Sequence, residues 1–450
     1  MYNEDGQLRQ DFIAEIVSAI ASANRTELLA LIEPLHESEL GDVLEAISSP
    51  ERLQLVELAG DDFDLSSLTE VDEAIRLDIM NSLPNSKIAE AIQELDSDDA
   101  VYILEDMEIE DQKEVLDNLP FDEQVMLRRS LEYPEETAGR RMQTEFIAVP
   151  PFWSVGQTID YMRDDGNLPD RFHEVFVISP GYKLLGYVQL DKLLRAQRAI
   201  RIEDLAEPSV HPIEATMDQE EAAYIFQQYD LISAAVVDGS RLVGVMTIDD
   251  IVDVIHQEAD EDIKRLAGVG DEELSDSVFE ITKSRFLWLL INLFTAIMAS
   301  VVIGAFDGTI EQMVALAVLM PIVASMGGNA GTQTMTVAVR ALAQRDIDSY
   351  NTKRIIRREV LVGLINGIAF AVMIGVASGL WFSNIDLGFI IGFAMIFNMV
   401  CAALAGILIP IALDHFDIDP AIASSVFVTT VTDVVGFFVF LGLAAWWFGI

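Results

Sequence analysis

Five apolar stretches after residue 284 limit what this chain can fold into more than any other feature. They run over roughly 284–306, 311–340, 357–382, 387–413 and 420–448, and a helical crossing of a bilayer needs ~20 apolar residues. Asp307-Gly308, a basic loop, Ser383-Asn384 and the segment from Asp414 to Pro420 separate them. Backbone polar groups must be satisfied within each segment in hydrocarbon, so the pattern predicts a five-helix α transmembrane domain. Lys283 and Arg285 precede the first span, and Arg340, Arg345, Lys353, Arg354, Arg357 and Arg358 lie between the second and third. The other short connectors carry no Lys or Arg. Positive residues mark the cytoplasmic side. An odd number of spans then predicts a cytoplasmic N-terminus and an extracytoplasmic Ile450, in a multi-pass protein of the cytoplasmic (inner) membrane. Trp288, Trp381, Trp446 and Trp447 fall near span ends, where aromatic belts form.

Charge divides the chain at the same place. The net charge is −46 although 51% of the residues are hydrophobic. Residues 1–280 hold 64 acidic and 20 basic side chains, and residues 281–450 hold 10 and 8. An acidic soluble half therefore precedes an apolar half. Such a field repels phosphate backbones, which excludes nucleic acid as a partner, and it attracts divalent cations. Cys401 is the sole cysteine, so no intrachain disulfide is expected. The opening MYNEDGQLRQ has neither the basic nor the apolar region of a signal peptide.

The soluble half has two parts. Residues 1–131 read as short helices, an acidic all-α superhelical N-domain. Ser82-Leu83-Pro84 and Asn118-Leu119-Pro120 recur 36 residues apart, and between them DSDDAVYILEDM and EIEDQKEVLDNL repeat a rhythm of about 12. Acidic or Ser starts suit N-caps and the positive helix end. Over 132–255 β-branched runs alternate with helices. FHEVFVISPGYKLLGYVQLDKLL (172–194) matches LISAAVVDGSRLVGVMTIDDIV (231–252), with Gly186 on Gly244 and Asp191 on Asp249 at an offset of 58. Each copy reads helix, strand, turn, strand, helix. The pair resembles tandem CBS modules, an α+β fold, over about 137–200 and 201–255. That resemblance implies an adenosyl ligand at the second copy, with Thr247 on a phosphate and Asp250 on a ribose hydroxyl. The first copy has Gln189 and Lys192 at those positions, so at most one nucleotide site is expected.

A connecting helix over 256–283 is expected to lead into the spans. Asp250, Asp253, Glu258 and Glu261 fall mostly three and four residues apart. Like charges at helical spacing destabilise a helix by ~0.2–0.5 kcal/mol a pair, and hard divalent cations are the natural compensation. The competing reading is a solvated acidic face.

Two features stand out in the membrane domain, residues 284–450. Span two contains Pro321 and then Gly327-Gly328-Asn329-Ala330-Gly331-Thr332-Gln333. Irregular backbone at membrane depth occurs where it is buried in protein or lines a cavity, so an interrupted helix at a transport site is expected here; tight helix packing is the alternative. Span five holds Asp433, the one acid deep in a span, with Ser425, Thr429 and Gly436 at helical spacing from it. A charge at the bilayer centre costs ~2.5–3.5 kcal/mol on insertion scales, so such residues usually face a pathway. Glu359, beside Arg357 and Arg358 at the cytosolic edge of span three, reads better as an interfacial ion pair than as a pore residue. Asn398 and Cys401 in span four read as packing residues.

Taken together, an acidic helical N-domain, a CBS pair, an acidic connecting (plug) helix and five spans, with GGNAGTQ in span two and TTVTDVVG in span five, resemble the MgtE family of magnesium channels and transporters. The resemblance implies a homodimer with a two-fold pore in which Asp433 binds hydrated Mg2+, with Thr429 and Asn329 on the same path. It implies a cytosolic Mg2+ sensor at Asp218, Glu220, Asp230, Asp250, Asp253, Glu258 and Glu261 that closes the pore, and it admits ATP as a regulator. Some relatives carry Asn where this chain has Thr332, which leaves fine selectivity open. A Mn2+ or Co2+ transporter of the same architecture and a membrane-anchored CBS nucleotide sensor are the competing readings. No enzyme motif competes: the chain has no P-loop, no HExxH and no cysteine–histidine cluster, and its five histidines are scattered.

Overall fold

The computed structural model describes residues 1–3, 8–166, 168–169, 171–208, 211–269, 278–347, 350–416 and 418–449. The chain folds as two compact units, one over residues 1–258 and one over the described residues from Ala259 onward.

The first unit opens with short helices: α1 (Gln10–Ala21), α2 (Arg25–Ile32), α3 (Glu37–Ala46), α4 (Ser49–Ala59), α5 (Glu73–Met80), α6 (Asn85–Ile92), α7 (Ser97–Glu105), α8 (Ile109–Asn118) and α9 (Phe121–Leu131). The recurring phrases do start helices, since Pro84 and Pro120 immediately precede α6 and α9. Helix α6 packs on α8 and α7 on α9, so in this stretch a helix rests on the next but one, the rhythm of a small superhelix. One apolar core runs through it, including Leu28, Leu44, Leu55, Ile79, Ile88, Ile103 and Leu104. The buried Arg76 guanidinium ties successive turns together, pairing with Asp106 at 2.7 Å and lying 4.3 Å from the centre of the Tyr102 ring.

Two three-stranded sheets follow. In the first, β1 (Ala148–Val149) pairs parallel with β2 (Glu174–Ile178), which pairs antiparallel with β3 (Leu184–Gln189); in the second, β4 (Ile213–Glu214), β5 (Ser233–Asp238) and β6 (Arg241–Thr247) repeat the order. Helices α10 (Val155–Asp164), α11 (Leu190–Arg195), α12 (Ile202–Leu205) and α13 (Gln219–Tyr229) accompany them. The two-residue strands β1 and β4 are too short to signal themselves in sequence. The glycines shared by the two copies have one steric reason. A Cβ on Gly186 would sit 2.2 Å from the Glu207 carbonyl oxygen, and a Cβ on Gly244 would sit 2.7 Å from that of Gln143. Residues 207 and 143 bridge to Tyr187 and Val245 respectively, so each glycine admits an extra backbone segment beside its sheet.

Helix α14 (Ile248–Ala267) starts directly after β6 and stops at Ala267, where Gly268 takes φ +73°. The connector is therefore not one unbroken helix into the first span. Residues 270–277 lie outside the described residues, and the next helix begins at Val278.

Among the described residues the membrane unit has five helices long and apolar enough to cross a bilayer: α15 (Val278–Gly304), α17 (Ala315–Ala343), α18 (Thr352–Trp381), α19 (Ile385–His415) and α20 (Pro420–Phe448), with the short α16 (Asp307–Gln312) after the first. The expected interruption in span two is not observed. Helix α17 runs continuously through Gly327–Gln333. The glycines serve close packing instead: a Cβ on Gly327 would lie 2.2 Å from the Asn398 amide nitrogen, and one on Gly331 would lie 2.5 Å from Val428. On α18, Gly363, Gly367, Ala371, Gly375 and Gly379 recur every fourth residue against α19, where Gly375 and Gly388 approach backbone to backbone. Small residues in such a row let transmembrane helices come close.

Candidate functional site

In the membrane unit the site is built on α20 and α17. Asp433 lies fourteen positions into α20, half-buried, and makes no hydrogen bond or ion pair among the described residues. The hydroxyls around it are satisfied by their own helix: Thr429 donates to the Ser425 carbonyl at 2.9 Å, Thr430 to that of Val426 at 2.6 Å and Thr432 to that of Thr429 at 3.0 Å. Their lone pairs remain available to another donor. Gly436 departs from the expected stripe. It is buried, and a Cβ there would lie 2.9 Å from the Asn398 amide. Asn398 is wholly buried between Gly327 and Gly436, and its amide donates to the Val323 carbonyl at 2.8 Å. The face left beside Asp433 is Ser425 and Thr429. Helix α17 buries Gly327, Gly331 and Met335 and exposes Ser325, Asn329, Thr332 and Thr336. At 100° per residue those four fall within about 60° of one another, forming one polar face on an otherwise apolar helix.

In the soluble unit a carboxylate cluster lies where the helical domain meets the second CBS half. Ser97 accepts from the Thr144 backbone N–H at 2.7 Å and donates to Glu145 at 2.7 Å, which seats the first turn of α7 on the segment leading to β1. The next residue, Asp98, is hydrogen-bonded to Asp250 and takes a 3.2 Å bond from Gln143, while its Oδ1 is buried without a partner. Burial, and then the Asp250 charge, push the Asp98 carboxyl well above the usual carboxylate range. Asp99 is pushed up to about 7 by burial and by Asp250, Asp96, Glu37 and Glu70. Burial also raises Asp250. A cavity of about 410 Å³ opens beside them, lined among the described residues by seven carboxylates, including Asp99, Glu145 and Asp249, and by one cationic side chain, Arg171. Buried acids at such close quarters are stable only with a proton or a cation between them.

A family model described as a divalent cation transporter, MgtE, matches residues 320–443, the MgtE intracellular N domain matches 35–136 and a CBS domain matches 202–257. The magnesium transporter MgtE of Enterococcus faecalis is 34% identical over 312 residues, covering 69% of each chain. The chain belongs to the MgtE family. The Thermus thermophilus magnesium transporter MgtE is 31% identical over 317 residues, covering 69% of this chain and 70% of that one. The Bacillus subtilis magnesium transporter MgtE is 28% identical over 436 residues, covering 96% and 97%. The cytosolic domain of the Mg2+ channel MgtE in complex with ATP, a crystal structure, shares the fold of the soluble half at a TM-score of 0.50 and 23% identity, covering 54% of this chain and 99% of that one.

Within this MgtE-family chain the seven residues expected to sense metal do not form one cluster. Asp218 and Asp230 flank opposite ends of the eleven-residue α13, about 18 Å apart by helical rise. Asp218 caps the helix by accepting from the Glu220 and Glu221 backbone N–H groups, and Asp230 ends it in a left-handed conformation at φ 53°. Glu220 is exposed in its first turn. Glu258 accepts from Gln219 at 2.7 Å. Glu261 pairs with Arg265, one turn on. Of the ladder on α14, Asp250 meets Asp98, and Asp253 is exposed, close enough to Glu70 to raise that carboxyl further. Asp98 and Asp99 were missed by sequence reasoning because first-turn acids look like ordinary helix-dipole partners.

The nucleotide residues are close but committed. Thr247 donates its hydroxyl to Asp250 at 2.8 Å, and the Thr247 backbone N–H donates to the same oxygen at 3.2 Å, closing the start of α14 as a capping pair. In the first copy Lys192 pairs with Glu207 instead. In the membrane unit Asn329 lines a second cavity, between α17, α18 and α19, together with Glu359. Glu359 forms the expected pair with Arg358, at 3.1 Å.

Proposed function

We propose that this chain imports Mg2+ through a channel in the cytoplasmic membrane and closes when cytosolic Mg2+ rises. The observation that carries the reading is Asp433, an unpaired carboxylate in mid-span beside the Thr429 hydroxyl, in a chain whose relatives are magnesium transporters. Mg2+ sheds water reluctantly, so Asp433 and Thr429 would meet it through retained waters. Entry would follow an inside-negative potential, worth ~2.3 kcal/mol per charge per 100 mV. The polar face of α17 supports a homodimer, because Ser325, Thr332 and Thr336 gain nothing from lipid and would line a path completed by a second copy.

The regulatory reading rests on Asp98, Asp99 and Asp250. A divalent cation shared by Asp98 and Asp250 would relieve two carboxyls that burial pushes up. Metal that binds the closed form better shifts the population toward closed, so the sensor would be centred there, with Asp253 and Glu258 nearby on α14. ATP would enter beside Thr247 as its Mg2+ complex, since the acidic cavity repels a bare triphosphate. A pure membrane anchor has no use for Asp433.

The test is flux into proteoliposomes with Mg2+, Mn2+ and Co2+ compared side by side. Mg2+ flux is expected from the wild type and is abolished in a folded Asp433→Ala variant; Asp433→Asn keeps the shape, loses the charge and is nearly as poor. Wild-type rates from either variant would sink the pore assignment.

A further inference from the structure

The cavity between α17, α18 and α19 has a volume of about 350 Å³ and carries five polar side chains on a largely apolar wall. Glu359 and Asn366 face it from α18, and Asn329, Gln333 and Thr334 from α17. Asp433 is not among its lining residues. Glu359 is only 12% exposed, while its partner Arg358 is 63% exposed. Both Arg358 bonds, at 3.2 and 3.1 Å, fall on Glu359 Oε1, so Oε2 has no partner among the described residues. The amides of Asn329, Gln333 and Asn366 likewise make no hydrogen bond among the described residues. Asn366 lies seven residues beyond Glu359, about 10 Å along the helix, in the middle third of α18. An apolar segment does not hold three free amides and a free carboxylate oxygen against hydrocarbon.

The pocket exists because α18 meets α19 through small residues. A Cβ on Gly363 would lie 2.8 Å from the Ala403 Cβ and 2.9 Å from the Met399 carbonyl oxygen. That contact brings the Glu359 end of α18 against α19. Six waters around a divalent ion occupy ~180 Å³ at about 30 Å³ each, which fits within this volume.

We propose that this pocket is a second intramembrane cation site, separate from Asp433. It holds a hydrated divalent cation, with Glu359 Oε2 supplying charge and the amide oxygens of Asn329, Gln333 and Asn366 accepting from its water shell. Helix polarity puts Glu359 nearer the cytosolic end of α18 and Asn366 deeper, so the site is elongated along the membrane normal. It rests on the reading of the chain as a Mg2+ pathway, and its test is chosen to stand apart from that reading.

The full-length protein in proteoliposomes is treated with a hydrophobic carbodiimide, which modifies carboxyls in apolar surroundings, and Glu359 modification is followed by peptide mass spectrometry. Modification at Glu359 should fall at least fivefold when millimolar Mg2+ is present, and should fall equally in the Asp433→Asn protein, where pore binding is lost. No modification at Glu359, or modification indifferent to Mg2+, overturns the proposal. In parallel, Glu359→Gln should lower Mg2+ flux at least tenfold, while Glu359→Asp stays within about threefold of wild type; a folded Glu359→Gln protein with wild-type flux also overturns it. Absence of flux from the wild type would instead reject the channel reading, and the protection measurement does not depend on flux.

Discussion

The carboxyls of Asp98 and Asp250 are hydrogen-bonded to one another across the seam between the helical domain and the second CBS half. Two carboxyls can do this only by sharing a proton, and a divalent cation would take that proton's place. The pair is therefore expected to make the soluble unit respond to pH and to divalent metal through the same atoms.

Asp99 carries the clearest sign. Its carboxyl sits at about 7 in the fold, against ~3.9 in an unfolded chain. The folded state then binds more protons than the unfolded one between those values, so metal-free stability falls as pH rises from about 4 to 7. One carboxyl moved that far costs the metal-free fold about 4 kcal/mol above pH 7. Asp98 and Asp250 are displaced in the same direction. Thermal unfolding of the full-length protein in chelator should show a falling Tm over this range. The slope should flatten with millimolar Mg2+ and in the double variant Asp98→Asn, Asp99→Asn. An equal slope in that variant would assign the effect to general repulsion among the many other acids.

Gating should follow the same cluster. Asp98→Ala and Asp250→Ala each remove a ligand, so cytosolic Mg2+ should close the channel only at about tenfold higher concentration. Asp218→Ala is expected to act differently. It removes the cap of α13, costing about 1 kcal/mol of stability, and should move closure by less than threefold. Patch recording with Mg2+ stepped on the cytosolic face separates the two. A larger shift from Asp218 than from Asp98 would move the sensor to α13.

Helix packing offers a prediction without transport. Gly327→Val drives a side chain into Asn398, and overpacking of this kind costs about 1–3 kcal/mol. Gly328, one residue on, has nothing within 4 Å of its Cβ position, so Gly328→Ala should leave the detergent-solubilised Tm nearly unchanged. Comparable losses in both would mean that the whole motif, rather than one face of it, is in close contact.

These residues show where sequence reading succeeds and where it stops. Spans and sheets announce themselves locally, through runs of apolar residues and through the two matching segments around Gly186 and Gly244. The mid-span place of Asp433 is legible because a lone carboxylate in an apolar run stands out at once. The GGNAGTQ segment is ambiguous by nature: glycine permits both a break and a close approach, and only Asn398, about 70 residues away, decides for approach. The pairing of Asp98 with Asp250 is long-range and leaves no mark in local spacing. The acidic ladder on α14 was visible, but not that Glu261 is already paired with Arg265.

That pairing frames the last prediction. Arg265 bridges Glu261 on its own helix and Asp419 at the start of α20. Asp419 in turn caps α20, its Oδ1 accepting from the Ala421 backbone N–H at 2.7 Å. Leu266 adds an apolar contact to the cluster of Met335, Val339, Ala421 and Val428. The end of α14 is thus fastened to the cap of the helix that carries Asp433, fourteen residues further along. Asp262 is also raised, by burial and by Asp419, so Arg265 offsets a local excess of negative charge. If closing force reaches α20 through this fastening, Arg265→Ala should leave maximal flux within about twofold but raise the Mg2+ needed for closure roughly tenfold. Arg265→Glu should be worse, because it faces both Glu261 and Asp419, whereas Arg265→Lys keeps the positive charge and should retain most of the closure. Retained closure in the Lys variant beside its loss in the Ala variant is the decisive reading from patch recordings. Unchanged closure in Arg265→Ala would show that α20 receives its signal elsewhere.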